Sequence, residues 1–454
     1  MFIEKKINIQ RPAHEVFDYI SDLSQIYEWD DHVVEAYRLE LGPIRVGSKF
    51  KLIYSVMGVK EELIYTIETM SQPQHLKLIG TSRLFSAIDQ IEITAIGKEQ
   101  CFLLYSAEIR LKTSQAEKFI KLYMERVSNR LMKRLRDSLE KVNETGKQQK
   151  YVNPLTAPFW FTRKGWDQRR KDFKATLHHP KKVLITGPTA GLGKSVARTM
   201  AAKGCSLVLV GRSSDKLDVL ENELLDLGFE GELNSYVCDM ENLKNVEDTC
   251  NKIMAEDQVP EVVINNAAAL YAKPAFIQEI ERTTVVDLIA PWLIAVKLAP
   301  ALQKGSCIIN VSSGGMYAVG LDIPELKQAK IPFSGARAYA LAKRGLDIMS
   351  WGLNKDLEEQ GVKVHSMHPG WADTPGVVQS LPGFHKVTKR WLRNPFQGAD
   401  TICWLALNNP DPGGEFWLDR TRQSRYLIPA TRGRLTEDYK QLKSFLEGFS
   451  RKGR

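Results

Sequence analysis

A chain of 454 residues exceeds what one hydrophobic core usually serves, so two or three domains are expected. Its 43% apolar and 26% charged residues exclude a collagen-like, low-complexity or intrinsically disordered protein. The net charge of +9 is concentrated, with eight Lys/Arg against two Asp between Phe161 and Lys182, yet no zinc-finger, helix-turn-helix or RNA-module pattern accompanies it.

From the N-terminus, "FIEKKINIQ" alternates as a strand, and "RPAHEVFDYISD" reads as a helix opened by Pro12. A second short helix, "LSQIYEWDDHV", precedes strands around "KFKLIYSV", "EELIYTIETM", "HLKLIGTS", "DQIEITAI" and "CFLLYSAEIRL". A long helix follows, "SQAEKFIKLYMERVSNRLMKRLRDSLEKV", with Phe119, Tyr123, Val127, Leu131 and Leu135 predicted as its apolar stripe. Residues 1–145 thus read as an α+β unit whose antiparallel sheet wraps its C-terminal helix. No acid–base constellation stands out in this half.

Residues 146–180 read as a basic aromatic linker. "GKQQKYVNPL" has the composition of a solvated connector. "APFWFTRKGWDQRRKDF" sets Phe159, Trp160, Trp166 and Phe173 among basic residues, as an amphipathic surface helix would. Two placements stay open for residues 157–174: peripheral contact with an anionic membrane, or packing on the protein's own surface.

From Lys181 the pattern changes to short β-branched strands alternating with amphipathic helices: "KKVLITG", "CSLVLVGR", "NSYVCDM", "EVVINNAA", "GSCIINVSS" and "GVKVHSMHPG". That rhythm predicts an α/β, Rossmann-type, doubly wound parallel sheet over 181–454, with a C-terminal extension. "VLITGPTAGLGKSVARTM" places Gly187, Gly191 and Gly193 between a strand and a helix, where backbone must turn tightly and approach a pyrophosphate. At the end of the second strand Arg212 stands where an acid would accept an unphosphorylated ribose, which points to the 2′-phosphate of NADP.

The six cysteines, Cys101, Cys205, Cys238, Cys250, Cys307 and Cys403, form no CxxC and read as reduced thiols, with no disulfide frame and no metal site. The N-terminus has no signal-like apolar region, and no uninterrupted run reaches the ~18 apolar residues of a membrane span. These observations set the expectation of a soluble cytoplasmic protein with no nucleic-acid partner. A homo-oligomer stays open.

The first unit's order of elements, with "RPAHEVFDYISD", Trp29 and "GPIRVGSKFKL", resembles the START-like, helix-grip superfamily that includes polyketide cyclases and lipid-transfer domains. The resemblance implies an apolar cavity between sheet and helix, lined by Tyr27, Trp29, Tyr54, Tyr65, Phe85 and Tyr105, or else a core that those aromatics simply fill. The second part, with "TGPTAGLG", "CDM", "NNAA", "NVSS", "YALAK" and "HPGWADT" in order, resembles the short-chain dehydrogenase/reductase family. "VSSGGMY", "PFSGARAYALAK" and "GEFWLDR" are most like its member-12 group.

That second resemblance implies roles residue by residue. Tyr339 is the proton donor or acceptor, Lys343 binds ribose and lowers the tyrosine pKa, and Ser313 holds the reacting carbonyl, with Ser312 as the structural alternative. The cofactor would lie along Gly187, Ala190, Gly191, Leu192, Gly193, Arg212, Asp239, Met240, Asn266, Ala267, Pro369, Gly370 and Thr374, together with Tyr339 and Lys343. A cation about 4 Å from a phenol contributes ~4 kcal/mol at an effective dielectric of ~20, enough to bring it toward neutral pH. Tyr439 and Lys443 repeat the Tyr–Lys spacing without any such context. Two departures stand out. Ala268 replaces a usual glycine, and Asp287 falls where the family has the asparagine of its proton relay.

The expected activity is hydride transfer between NADPH and a carbonyl, or the reverse from an alcohol, on an apolar substrate such as a lipid, sterol or polyketide. The 25 residues between Ser313 and Tyr339 are expected to form a loop over the site. The rival expectation is a non-enzymatic lipid-binding or NADPH-sensing protein in which Asp287 marks lost chemistry.

Overall fold

Alternation of apolar and polar residues in Phe2–Ile9 gives strand β1, whose Ile3 and Ile9 turn inward. The computed structural model describes residues 2–56, 59–111, 117–140, 153–175 and 180–451. They fall into two compact units, one of Met1–Lys147 with Asp167–His178 and Leu227–Phe229, the other of Gln148–Trp166, His179–Asp226 and Glu230–Arg454.

In the first unit β1 is followed by the helix Ala13–Ser21, a 3₁₀ segment Leu23–Glu28, and β2 (Val33–Arg38). Five longer strands complete it: β3 (Lys49–Val56), β4 (Val59–Ser71), β5 (His75–Ser82), β6 (Phe85–Ala95) and β7 (Cys101–Leu111). All pair antiparallel in the order β1-β7-β6-β5-β4-β3-β2. β2 falls where the sequence predicts no strand, and the predicted second helix is a 3₁₀ segment. The long helix spans Glu117–Glu140. Among its described side chains, Ser128, Met132, Leu135, Ser138 and Leu139 are buried, a 3.6-residue period, and Leu131 is only partly buried, so a strict four-residue stripe drifts off the inner face. The side chains of Phe119, Tyr123 and Val127 lie outside the described residues.

The inner sheet face carries polar pairs that the sequence reading did not anticipate. Ladder partners share a face, so Tyr54, Tyr65, Asp89 and Tyr105 lie on one side. The Tyr54 hydroxyl donates to Asp30 Oδ2 at 2.7 Å and that of Tyr105 to Asp89 Oδ1 at 2.6 Å. Asp30 and Asp89 are both buried. Three of the expected cavity aromatics therefore sit beside buried carboxylates, because a phenol turned inward takes an acceptor with it.

The expected single amphipathic helix is instead two short helices, Ala157–Trp160 and Arg163–Arg169, ended by a 3₁₀ turn. Phe161 and Trp166 are buried in the second unit, while Leu155 and Phe159 are exposed. Within the first unit Phe173 is buried, and Arg170 donates to the carbonyls of Tyr27, Asp30 and Asp31. Residues 146–152 and 176–179 of the connector lie outside the described residues.

The second unit is built on β8 (Lys182–Thr186), β9 (Ser206–Gly211), β10 (Leu233–Val237) and β11 (Val262–Asn265). A small hairpin follows, β12 (Phe276–Ile277) and β13 (Ile280–Glu281), then β14 (Cys307–Val311), β15 (Lys363–Met367), β16 (Phe416–Leu418) and β17 (Thr421–Gln423). The large sheet runs β10-β9-β8-β11-β14-β15-β16-β17, parallel except at β17. Helices cover both faces, which explains why strands such as Val183–Ile185 and Ile308–Ile309 are apolar throughout and fully buried. Arg282–Ala301 is long and apolar enough to cross a membrane by length and composition, although Asp287 and Lys297 interrupt its apolar run, and 78% of its most apolar stretch is buried in the protein. The six cysteines are free and buried.

The helix Gly335–Asp356 opens at Ser334, whose side chain accepts from Arg337 N. From Ala340 onward it is buried by Leu341, Leu346, Met349 and Leu353. The C-terminal helix Leu435–Arg451 packs the Tyr439 ring directly on Gly352, where a Cβ would lie 2.1 Å from the ring. The Tyr439 hydroxyl and Lys443 Nζ both bind Asp356 Oδ2, at 2.5 and 2.8 Å, so this second Tyr–Lys pair anchors the helix.

Candidate active site

The strand order reverses between β8 and β11, and the residues expected to react follow the carboxyl ends of β8, β11, β14 and β15. A crevice at such a switch point is where open α/β sheets bind ligands. The Gly187–Gly193 turn lies at its base. Gly187 and Gly191 adopt φ of +65° and +53°, a region that side chains disfavour. A Cβ on Gly193 would lie 2.0 Å from the Gly187 carbonyl oxygen, so the turn closes only around glycine. The helix Gly191–Ala202 begins at Ala190, which supplies no side-chain cap, and its first N–H groups are left for an anion.

Thr186 locks the two central strands. Its Oγ1 accepts from the N–H groups of Asn266 and Ala267 at 3.0 and 2.9 Å, and Asn266 Nδ2 donates to the carbonyls of Thr186 and Gly187. Arg212 follows β9 directly and is exposed; Asp239 is exposed and Met240 is buried after β10. Asp239 Oδ1 accepts from Glu241 N. On the opposite wall, Thr374 caps the helix Pro375–Ser380 and comes within 3.3 Å of where a Gly191 Cβ would lie. Pro369, Ala372 and Leu192 converge on Gly398 in the same way. The glycine turn and the 369–374 loop therefore face each other, and the tight glycine cradle fits a dinucleotide's phosphates.

The two serines after β14 separate into different roles. Ser312 is buried and donates to the Lys343 carbonyl at 3.0 Å, which ties β14 to the helix. Ser313 is partly exposed and hydrogen-bonds the Tyr339 hydroxyl. Tyr339 is mostly buried, with part of the residue exposed, and Lys343 Nζ lies 5.5 Å from its ring centroid. Lys343 is otherwise buried, with Nζ donating to the Val311 carbonyl at 3.0 Å.

Asp287 sits in a π-helical turn, Val285–Ile289, fully buried. Its Oδ1 accepts from Ala269 N at 2.8 Å, and Oδ2 has no hydrogen-bond partner. Burial pushes its carboxyl up to about 6, against Lys343 and the Ala269 N–H, which hold it down, while Glu281 adds to the rise. Burial likewise pushes the Tyr339 phenol up, with Asp287 adding to the effect and the Ser313 hydrogen bond opposing it. The expected lowering by Lys343 is thus not what this geometry produces. The ammonium gives one of its three N–H groups to the Val311 carbonyl, and burial depresses its own pKa, which Asp287 only partly offsets.

The 314–338 segment does not lie as a bare loop. It holds a 3₁₀ turn Gly314–Ala318 and a helix Ile323–Lys327, pinned by a two-pronged Arg337–Glu325 pair. Sequence reasoning missed Thr186, the Ala269 N–H and the Val311 carbonyl, because their contributions come from backbone or from a hydroxyl turned to backbone. It also missed Arg393 and the role of Phe161, whose partners are more than 200 residues apart in the chain. Among the described residues, no group of His, Cys, Asp or Glu is placed to hold a metal ion.

A family model described as short chain dehydrogenase matches residues 181–382. The chain is 30% identical over 299 residues to the human "Dehydrogenase/reductase SDR family member 12", covering 63% of this chain and 93% of that protein. The bovine protein of the same name is 28% identical over 304 residues, covering 64% and 94%. Human retinol dehydrogenase 13 is 27% identical over 242 residues, covering 52% and 70%.

Proposed function

Because the chain belongs to the short-chain dehydrogenase/reductase family, a family of NAD(P)-dependent oxidoreductases, we propose that it transfers hydride between NADPH and the carbonyl carbon of an apolar substrate. The observation that carries this reading is the meeting of Ser313, Tyr339 and Lys343 at the same carboxyl edge of the sheet as the glycine cradle. NADPH, when bound, supplies the hydride. The Gly187–Gly193 turn and the N-terminus of Gly191–Ala202 hold the pyrophosphate, Arg212 pairs with the 2′-phosphate, and Asp239 and Met240 border the adenine. Ala267 and the Pro369–Thr374 loop flank the nicotinamide.

Ser313 Oγ hydrogen-bonds the substrate oxygen, and Tyr339 hands its proton to that oxygen as negative charge develops. Burial and the Asp287 charge keep the phenol protonated at neutral pH, which suits a donor and favours reduction over oxidation. Lys343 holds ribose, and the free Oδ2 of Asp287 orients a water toward Lys343, so that the proton is replaced from solvent. Oxidation of NADPH, followed at 340 nm with a panel of apolar ketones and aldehydes, tests the reading. Wild type should turn over at least one of them and Tyr339→Phe none, with NADPH binding retained. Turnover preserved in Tyr339→Phe would sink the assignment.

A second reading is favoured by Asp287 itself, a buried carboxylate where the family has an amide. It is that of an NADPH- or lipid-binding protein without turnover, and binding of NADPH with no turnover across the panel would select it. For the first unit, the antiparallel sheet and long C-terminal helix support a START-like ligand-binding domain. The Asp30–Tyr54 and Asp89–Tyr105 pairs on its inner face favour a ligand with a polar group on an apolar body, such as a sterol or polyketide.

A further inference from the structure

The 369–374 loop is held by a segment that lies ahead of the first Rossmann strand. Trp371 N donates to the Phe161 carbonyl at 2.7 Å. Arg393, 1% exposed, spreads its guanidinium over the same place: Nη2 donates to the Trp160 carbonyl at 2.6 Å, Nε to that of Thr162 at 3.2 Å and Nη1 to that of Pro369 at 3.2 Å. Asp419, also buried, accepts from both terminal nitrogens. The backbone of Arg393 pairs with the loop as well, accepting from Asp373 N and donating to the Trp371 carbonyl, both at 2.7 Å.

Two glycines show how tight this joint is. A Cβ on Gly370 would lie 2.4 Å from Arg393 Nε and 2.7 Å from the Phe161 carbonyl oxygen. A Cβ on Gly314, next to Ser313, would lie 3.1 Å from the Phe161 ring. That ring stacks at 6.2 Å on Tyr317 and meets His368 and Trp371 edge-on. One buried aromatic thus touches both the serine turn and the loop that faces the glycine cradle.

We propose that Ala157–Thr162 and Arg393 form a clasp that positions the 369–374 loop, and through it the nicotinamide half of the cofactor. Arg393 is a positioning residue: it reaches only backbone carbonyls and Asp419 among its hydrogen-bond partners. The inference rests on the NADPH reading above. It also gives Gly370, whose φ is +74°, a second reason to be glycine, since a Cβ there would meet the guanidinium.

The test compares two ligands on the full chain: NADPH, and adenosine 2′,5′-bisphosphate, which keeps the adenine and 2′-phosphate but has no nicotinamide. Arg393→Met opens the clasp but leaves Asp419 as a buried, unpaired charge. The double variant Arg393→Met/Asp419→Asn removes that charge and suits the φ of +52° at residue 419, which asparagine tolerates. In the double variant NADPH should bind at least about tenfold more weakly, and the bisphosphate within about twofold of wild type. In wild type, NADPH but not the bisphosphate should slow hydrogen exchange at the Trp371 amide, a readout that needs no variant to fold. Unchanged NADPH affinity in the folded double variant, equal weakening of both ligands, or equal protection of Trp371 by both would overturn the clasp. Wild type that binds neither ligand would overturn the cofactor reading and the clasp with it.

Discussion

Replacing Asp287 with asparagine should make the stability difference between variant and wild type depend on pH in a calculable way. The carboxyl ionises near 3.8 in the unfolded chain and at about 6 in the folded one. Between those values the folded state binds more protons, so this residue's contribution to stability falls as pH rises through that window and is flat above it. At 1.36 kcal/mol per unit, the penalty reaches about 3 kcal/mol at pH 8 and about 1.6 kcal/mol at pH 5. Asparagine does not ionise and keeps an oxygen for Ala269 N, but it puts an amide N–H₂ where Oδ2 has no partner, which costs roughly 1–3 kcal/mol at every pH. It also takes a counter-charge from Lys343, a term that is constant while Lys343 stays protonated. Both terms change the size of the difference and neither changes its slope. The variant should therefore gain about 1.4 kcal/mol relative to wild type between pH 5 and pH 8. Urea unfolding across that range measures it, with hydrogen-exchange protection of β14 assigning the transition to the second unit. A difference that stays flat within about 0.5 kcal/mol would show that Asp287 does not titrate in this window.

Three other substitutions follow from the same geometry. Arg212→Leu should cost NADPH at least about tenfold in affinity and leave NADH nearly unchanged, since charge-assisted hydrogen bonds contribute roughly 1.5–3 kcal/mol each; a fluorescence titration with both nucleotides decides it. Gly193→Ala should abolish measurable NADPH binding with little loss of secondary structure by circular dichroism, because its Cβ would meet the Gly187 carbonyl oxygen at 2.0 Å. Tyr439→Phe should leave turnover unaltered and lower stability by about 1 kcal/mol through the lost bond to Asp356, which chemical denaturation would detect.

Much of the second unit is readable because its signals are local. A β-branched run followed by Gly187, Gly191 and Gly193 needs only its own backbone to turn, and the positive φ values at the first two show why glycine stands there. The first unit was harder. Its strands were legible from alternation, but β2 was hidden by the charged and aromatic residues of "VVEAYR", and Tyr54 and Tyr105 look like core aromatics until Asp30 and Asp89 are placed beside them. Identity was also easier to read than charge state. Asp287 is conspicuous in the sequence, but whether it ionises depends on its complete burial, on Lys343 and on Glu281. The clasp lay furthest out of reach. Arg393 in "WLRNPF" has no spacing that marks it, and three of its acceptors are backbone carbonyls, which every residue carries. Local pattern therefore locates the groups that react, whereas the contacts that hold them in register are made between distant segments through atoms common to all residues. That division predicts where substitutions will surprise: at Phe161, Gly370 and Arg393, which take no part in hydride or proton transfer but close the joint around it.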